Sequence, residues 1–128
     1  MPKYYLITFF VCLFLGCDSK MVIEDDAGNS DFYILNTLNN NLIIKAELFY
    51  LDSVVTMISE TKSNVKLINL SGGIGTYAKP IDSFKNIVVL NESNLDTLIE
   101  YKIINDSNWL KDPNYVSWEY AKYTLEIK

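Results

Sequence analysis

From residue 32 onward, apolar and polar positions trade places along the chain. Between residues 42 and 51, Ile44, Ala46, Leu48 and Tyr50 fall at every second position, with Lys45 and Glu47 between them. Between residues 95 and 104, Leu95, Thr97, Ile99, Tyr101 and Ile103 alternate with Asp96, Glu100 and Lys102. A period of two sends successive side chains to opposite faces of a strand, so both stretches predict strands with one buried face. Residues 87–90, "IVVL", are wholly apolar, as a central strand buried on both faces would be. Residues 32–37 ("FYILNT"), 54–58, 65–70 ("VKLINL") and 118–127 ("WEYAKYTLEI") add four aromatic or β-branched runs. Asn39, Asn40 and Asn41 form one turn signal, and Asp52-Ser53 forms another that makes 54–58 a hairpin partner of the strand before it.

These runs amount to about seven strands in roughly a hundred residues, and no stretch carries a persuasive helical period. The expected fold is all-β: a single antiparallel two-sheet immunoglobulin-like sandwich, with a small closed β-barrel as the alternative. The antibody-type cysteine pair is missing, so only the architecture is expected.

The first residues follow a different pattern. One lysine lies among residues 1–3, and residues 4–16, "YYLITFFVCLFLG", carry no charge. A bilayer-spanning helix needs about 20 apolar residues, so this run is too short to cross. A positive start followed by a short apolar run describes a secretory signal peptide, although no A-x-A-like cleavage site follows. Instead the run ends in Phe14-Leu15-Gly16-Cys17.

That ending resembles the lipobox of bacterial lipoproteins. In that family an apolar residue stands three before the cysteine and a small residue stands directly before it. Leu15, Gly16 and Cys17 match, while Phe14 stands where leucine is commonest. The resemblance implies cleavage between Gly16 and Cys17, acylation of the Cys17 sulfur, and membrane attachment through the acyl chains. It divides the chain into a signal peptide (1–16), a lipidated cysteine with a tether (17–31) and a β-sandwich domain (32–128). The acidic triplet Glu24, Asp25 and Asp26 in the tether loosely resembles surface-export tags of Bacteroidetes lipoproteins, and it also suits a plain solvated linker.

Composition narrows the function classes. Formal net charge is −5, all eleven basic residues are lysine, and histidine is absent. Nucleic-acid binding rests on clustered Lys and Arg, so that class is disfavoured. With Cys12 in the removed segment and Cys17 carrying lipid, no free thiol remains. The Ser-His-Asp and Cys-His schemes are excluded, as are histidine-based metal sites. The acidic residues scatter over turns and outward faces without suggesting a glycosidase pair. The expectation is a protein that is not an enzyme and holds no cofactor.

Two irregular stretches are left for binding. Residues 71–84, "SGGIGTYAKPIDSF", are either a crossover between the sheets or a binding loop with Tyr77, Lys79 and Asp82 as contacts. No G-K-[ST] follows the glycines, so this is not a nucleotide-binding loop. In residues 105–117, Trp109 and Tyr115 either plug the open end of the sandwich or form a sugar-stacking platform. Ser53 and Thr97 lie in Asp-Ser/Thr-apolar triplets similar to the Bacteroidetes O-glycosylation sequon, Ser53 in a turn and Thr97 on an expected inward face.

A tether, the "FYILNT" strand, a glycine-rich loop running to a proline, "IVVL" and a closing "YTLEI" strand together resemble small uncharacterised β-sandwich lipoproteins of Bacteroidetes. The likeness implies an envelope lipoprotein, periplasm-facing or on the cell surface. Its expected partner is an unknown envelope protein, met through loops or a sheet edge. The alternative partner is a glycan or small ligand held by the 71–84 and 105–117 loops.

Overall fold

The computed structural model describes residues 27–115 and 119–128. Among the described residues eight strands form two four-stranded sheets and no closed barrel. In chain order they are β1 (Ala27–Asn36), β2 (Leu42–Leu48), β3 (Val54–Ser59), β4 (Asn64–Ile74), β5 (Phe84–Asn91), β6 (Thr97–Tyr101), β7 (Trp109–Lys111) and β8 (Tyr120–Ile127). One sheet has the order β4-β1-β8-β7 and the other β3-β2-β5-β6. The expected two-sheet sandwich is therefore the fold, with eight strands rather than seven. Its pairings are antiparallel except that β1 runs parallel to β8.

Strand bounds move where backbone pairing overrides composition. β1 begins at Ala27, so 27–31, read from sequence as tether, is strand. The polar stretch "AGNSD" is held because β1 pairs on both sides, with β4 and with β8. β2 stops at Leu48, which leaves Tyr50 outside it. β6 starts at Thr97 because Leu95 sits in the left-handed region at φ 61. Leu95, before β6, and Ile103, past its end at Tyr101, are exposed instead of core-facing.

The core lies between the sheets, where alternate residues of β1, β2, β5 and β8 meet. Phe32, Ile34, Leu42, Ile44, Ala46, Ile87 and Val89 are fully buried. Aromatic rings fill its centre. Phe32 stacks on Tyr123 at 5.5 Å and meets Phe84 edge-on at 5.0 Å. Trp109 lies parallel to Phe84 at 5.6 Å. Pairs in these offset and edge geometries contribute about 0.5–1.5 kcal/mol each beyond the area they bury.

Candidate functional site

The two ends of the sandwich carry different chemistry, and the predicted loop lies at one of them. Ser71–Ile74 do not leave the sheet, because β4 runs to Ile74. Gly75, at φ 71, then turns the chain back over β4. This return passes so close to Gly72 that an added Cβ would lie 2.4 Å from the Thr76 carbonyl oxygen. Only glycine leaves room for the crossing backbone. Next comes a single turn of helix, α1 (Pro80–Ser83), opened by proline at its first position. The Ser83 hydroxyl donates to the Lys79 carbonyl at 2.6 Å and closes the turn.

This segment and the β2–β3 loop border an open cleft of about 640 Å³. Tyr77, Lys79 and Asp82, the three residues singled out in 71–84, all line it, with Tyr50 and Leu51 opposite. Tyr77 is half-buried, while Lys79 and Asp82 are exposed. The Lys111 ammonium donates to the Tyr77 hydroxyl and sits 4.3 Å from the centre of its ring. That donation pulls the Tyr77 phenol below its ordinary value.

The 105–117 stretch does not join this cleft as a second wall. Trp109 opens β7 and is 5% exposed, its ring covered by Phe84 and Phe32. It plugs the sandwich and has no free face for a sugar. Tyr115 is partly exposed but packs edge-on against Tyr120 at 4.8 Å, on the far side of the β4-β1-β8-β7 sheet. Ser53 is exposed in its turn, and Thr97 is exposed too, contrary to the inward position expected for it. Gly16 and Cys17 lie outside the described residues.

Tyr115 borders a polar cluster on the outward face of β1. Asp31 is 6% exposed, yet it accepts hydrogen bonds from Asn69 Nδ2 at 2.8 Å and from the Tyr120 hydroxyl, and it pairs with Lys66 Nζ at 2.9 Å. Burial alone would raise the Asp31 carboxyl. The three donors outweigh burial and hold it below the usual carboxylate range. Burial and donation to Asp31 push the Tyr120 hydroxyl up. Every partner in this cluster is used internally, so it reads as a clasp between β1, β4 and β8. Among the described residues no group of His, Cys, Asp or Glu is arranged to hold a metal ion.

One feature escaped the sequence. On the outward face of the β3-β2-β5-β6 sheet, Ile43 faces Ile58 on one side and Leu90 on the other. Leu98, on β6 beside Leu90's partner Thr97, continues the row. Ile58 is 55% exposed and Leu98 41%, while Ile43 and Leu90 are half-buried. The result is an apolar belt across all four strands, on a face that carries no second layer among the described residues. Val54 stands exposed at the margin, next to Glu47. Asn86 Oδ1 is buried on the same face without a hydrogen-bond partner. The signal in the sequence was "IVVL": Ile87 and Val89 enter the core, but Val88 and Leu90 point away from it.

No protein-family model, no curated protein and no solved structure matches the chain. Among the described residues no helix is long and apolar enough to cross a membrane.

Proposed function

We propose that the protein is a non-catalytic cell-envelope lipoprotein. It is anchored through Cys17 and binds another envelope protein through the outward face of the β3-β2-β5-β6 sheet and its β6 edge. The belt Ile58-Ile43-Leu90-Leu98 carries this reading. A face that leaves large aliphatic side chains in water across every strand of a sheet is characteristic of an interaction surface. The β6 edge lies beside it and offers backbone groups to a partner strand.

The test is site-specific photo-cross-linking in cells, with a photo-reactive amino acid in place of Ile58 or Leu98. Lys122, on the other sheet, serves as the control position. The expected result is one envelope protein captured from both belt positions and not from Lys122. Capture should disappear in the Ile58→Lys background when the probe stands at Leu98. Equal capture at Lys122, or none at the belt, retires the reading.

A second reading rests on the cleft, where Tyr77, Lys79 and Asp82 converge beside apolar Tyr50 and Leu51. A pocket with an apolar wall and a few converging polar groups suits a small ligand or glycan. Ligand-detected NMR against a glycan panel tests it, with Tyr77→Phe and Asp82→Ala weakening any true binder. A panel silent toward the wild-type protein removes it.

A further inference from the structure

We infer that the cleft end of the sandwich is the end that meets the bilayer, with Tyr50, Leu51, Ile74 and Ile81 resting in a neutral lipid interface. The inference rests on the reading of Cys17 as the anchor.

Three observations converge on that end. The first is where the chain enters. β1 starts at Ala27, which pairs with Ile74, and Gly28 N–H donates to the Thr76 carbonyl at 2.9 Å. The first described residues, Ala27 and Gly28, therefore lie beside the cleft. Cys17 stands ten positions before Ala27 (27 − 17). Ten residues reach at most about 35 Å when fully extended. The long strands of this sandwich are themselves about 25–35 Å in length, so the tether favours contact by the end it enters.

The second is what that end exposes. Tyr50 is 86% exposed, Ile74 77% and Leu51 63%, and Ile81 projects from α1. These residues come from three separate segments: the β2–β3 loop, the end of β4 and α1. The segments are gathered around the same opening. A tyrosine among aliphatic side chains is the composition of a membrane interface, since its ring is apolar and its hydroxyl is not.

The third is the charge around them. Lys79 and Asp82 flank Ile81, and Asp52, paired with Lys85, flanks Leu51. Mixed signs give no attraction to anionic lipid, so contact is driven by apolar area and is insensitive to salt. The far end, lined by Asn39, Asn40, Asn41, Thr61, Glu92 and Ser93, exposes a single large aliphatic side chain, Leu95, against four large apolar side chains at the cleft end.

The test uses the full-length gene expressed in a bacterial host and the product purified from it. Intact mass reads whether Cys17 is acylated, which judges the anchor separately. The product is seated on phosphatidylcholine vesicles by its own acyl chains. If Cys17 is found unmodified, the Cys12→Ser chain is coupled through the Cys17 thiol to a maleimide lipid instead. Amide hydrogen exchange is then compared with and without vesicles, at low and high salt. The expected result is several-fold slower exchange at 49–53 and 74–82, unchanged by salt, and none at 37–41, 60–63 and 92–96. Leu51→Ser with Ile81→Ser should abolish the slowing. Slowing at the asparagine-lined end, slowing lost in salt, or no slowing anywhere overturns the inference.

Discussion

The two ends of this sandwich solve the problem of turning a strand in opposite ways. At the end made by residues 37–41, 60–63 and 92–96, side-chain amides close the turns. Asn36 is fully buried. Its Nδ2 donates to the carbonyls of Asn40 at 2.8 Å and Glu60 at 3.0 Å, and its Oδ1 accepts from Leu38 N–H at 2.9 Å. Asn41 accepts from Thr61 N–H, and Asn91 from Ser93 N–H, each at 3.0 Å. At the cleft end no asparagine among the described residues binds the β2–β3 and α1 turns: Leu48 N–H donates to the Ser53 carbonyl, the Ser83 hydroxyl to the Lys79 carbonyl, and apolar side chains stand in water. One end satisfies its own groups; the other leaves surface for something else to cover. Stability should therefore be concentrated in the asparagine end and the core, and binding in the cleft end and the belt.

The most severe way to break this division is at the core beneath the cleft. Trp109→Ala should lower unfolding free energy by about 3–5 kcal/mol, read by denaturant titration. A glycan platform at Trp109 would predict almost no loss. Next comes Asn36→Ala, which removes a fully buried amide that bonds both turns, at Asn40, Glu60 and Leu38, and should cost about 2–3 kcal/mol.

Asp31→Ala should cost about 2 kcal/mol, since three donors lose a charged acceptor. Its carboxyl is held below its unfolded value. The stability it contributes is therefore full above about pH 4 and is lost as pH falls through the depressed folded value. An acid titration of stability should show this loss in the wild type, and a smaller one in Asp31→Asn. The mildest change sharpens the contrast: Tyr50→Ser with Leu51→Ser should move stability by less than about 0.5 kcal/mol. A larger loss would mean that the cleft rim serves the fold itself.

Much of the sheet arrangement could be read from spacing, and the exceptions have physical causes. β2 was plain because Ile44, Ala46 and Leu48 keep a strict period against Lys45 and Glu47, and the β2–β3 hairpin followed from Asp52-Ser53. β7 was hidden because three residues, "WLK", carry too little pattern between Asn108 and Pro113. The first half of β1 was hidden because pairing on both sides, and not its side chains, makes it a strand. Tyr77, Lys79 and Asp82 were found together because proline and glycines marked a departure from strand. That they face Tyr50 and Leu51 depends on the pairing of β2 with β5, which no local signal specifies. The belt was missed because an apolar outward position reads the same as a core position until the strand's other face is known.

The parallel pairing of β1 with β8 has a consequence for synthesis. Thr37 Oγ1 donates to the Ile127 carbonyl across 90 residues, and Tyr120 reaches Asp31 across 89. As a ribosome delivers the chain, β1 is made before any other described strand, and one of its two neighbours is made after all of them. Its sheet therefore cannot close until the last described strand has been made. Long-range pairings of this kind make folding slow relative to local ones. A product cut short before residue 120 would leave β1 with a bare edge, open to pairing with another chain.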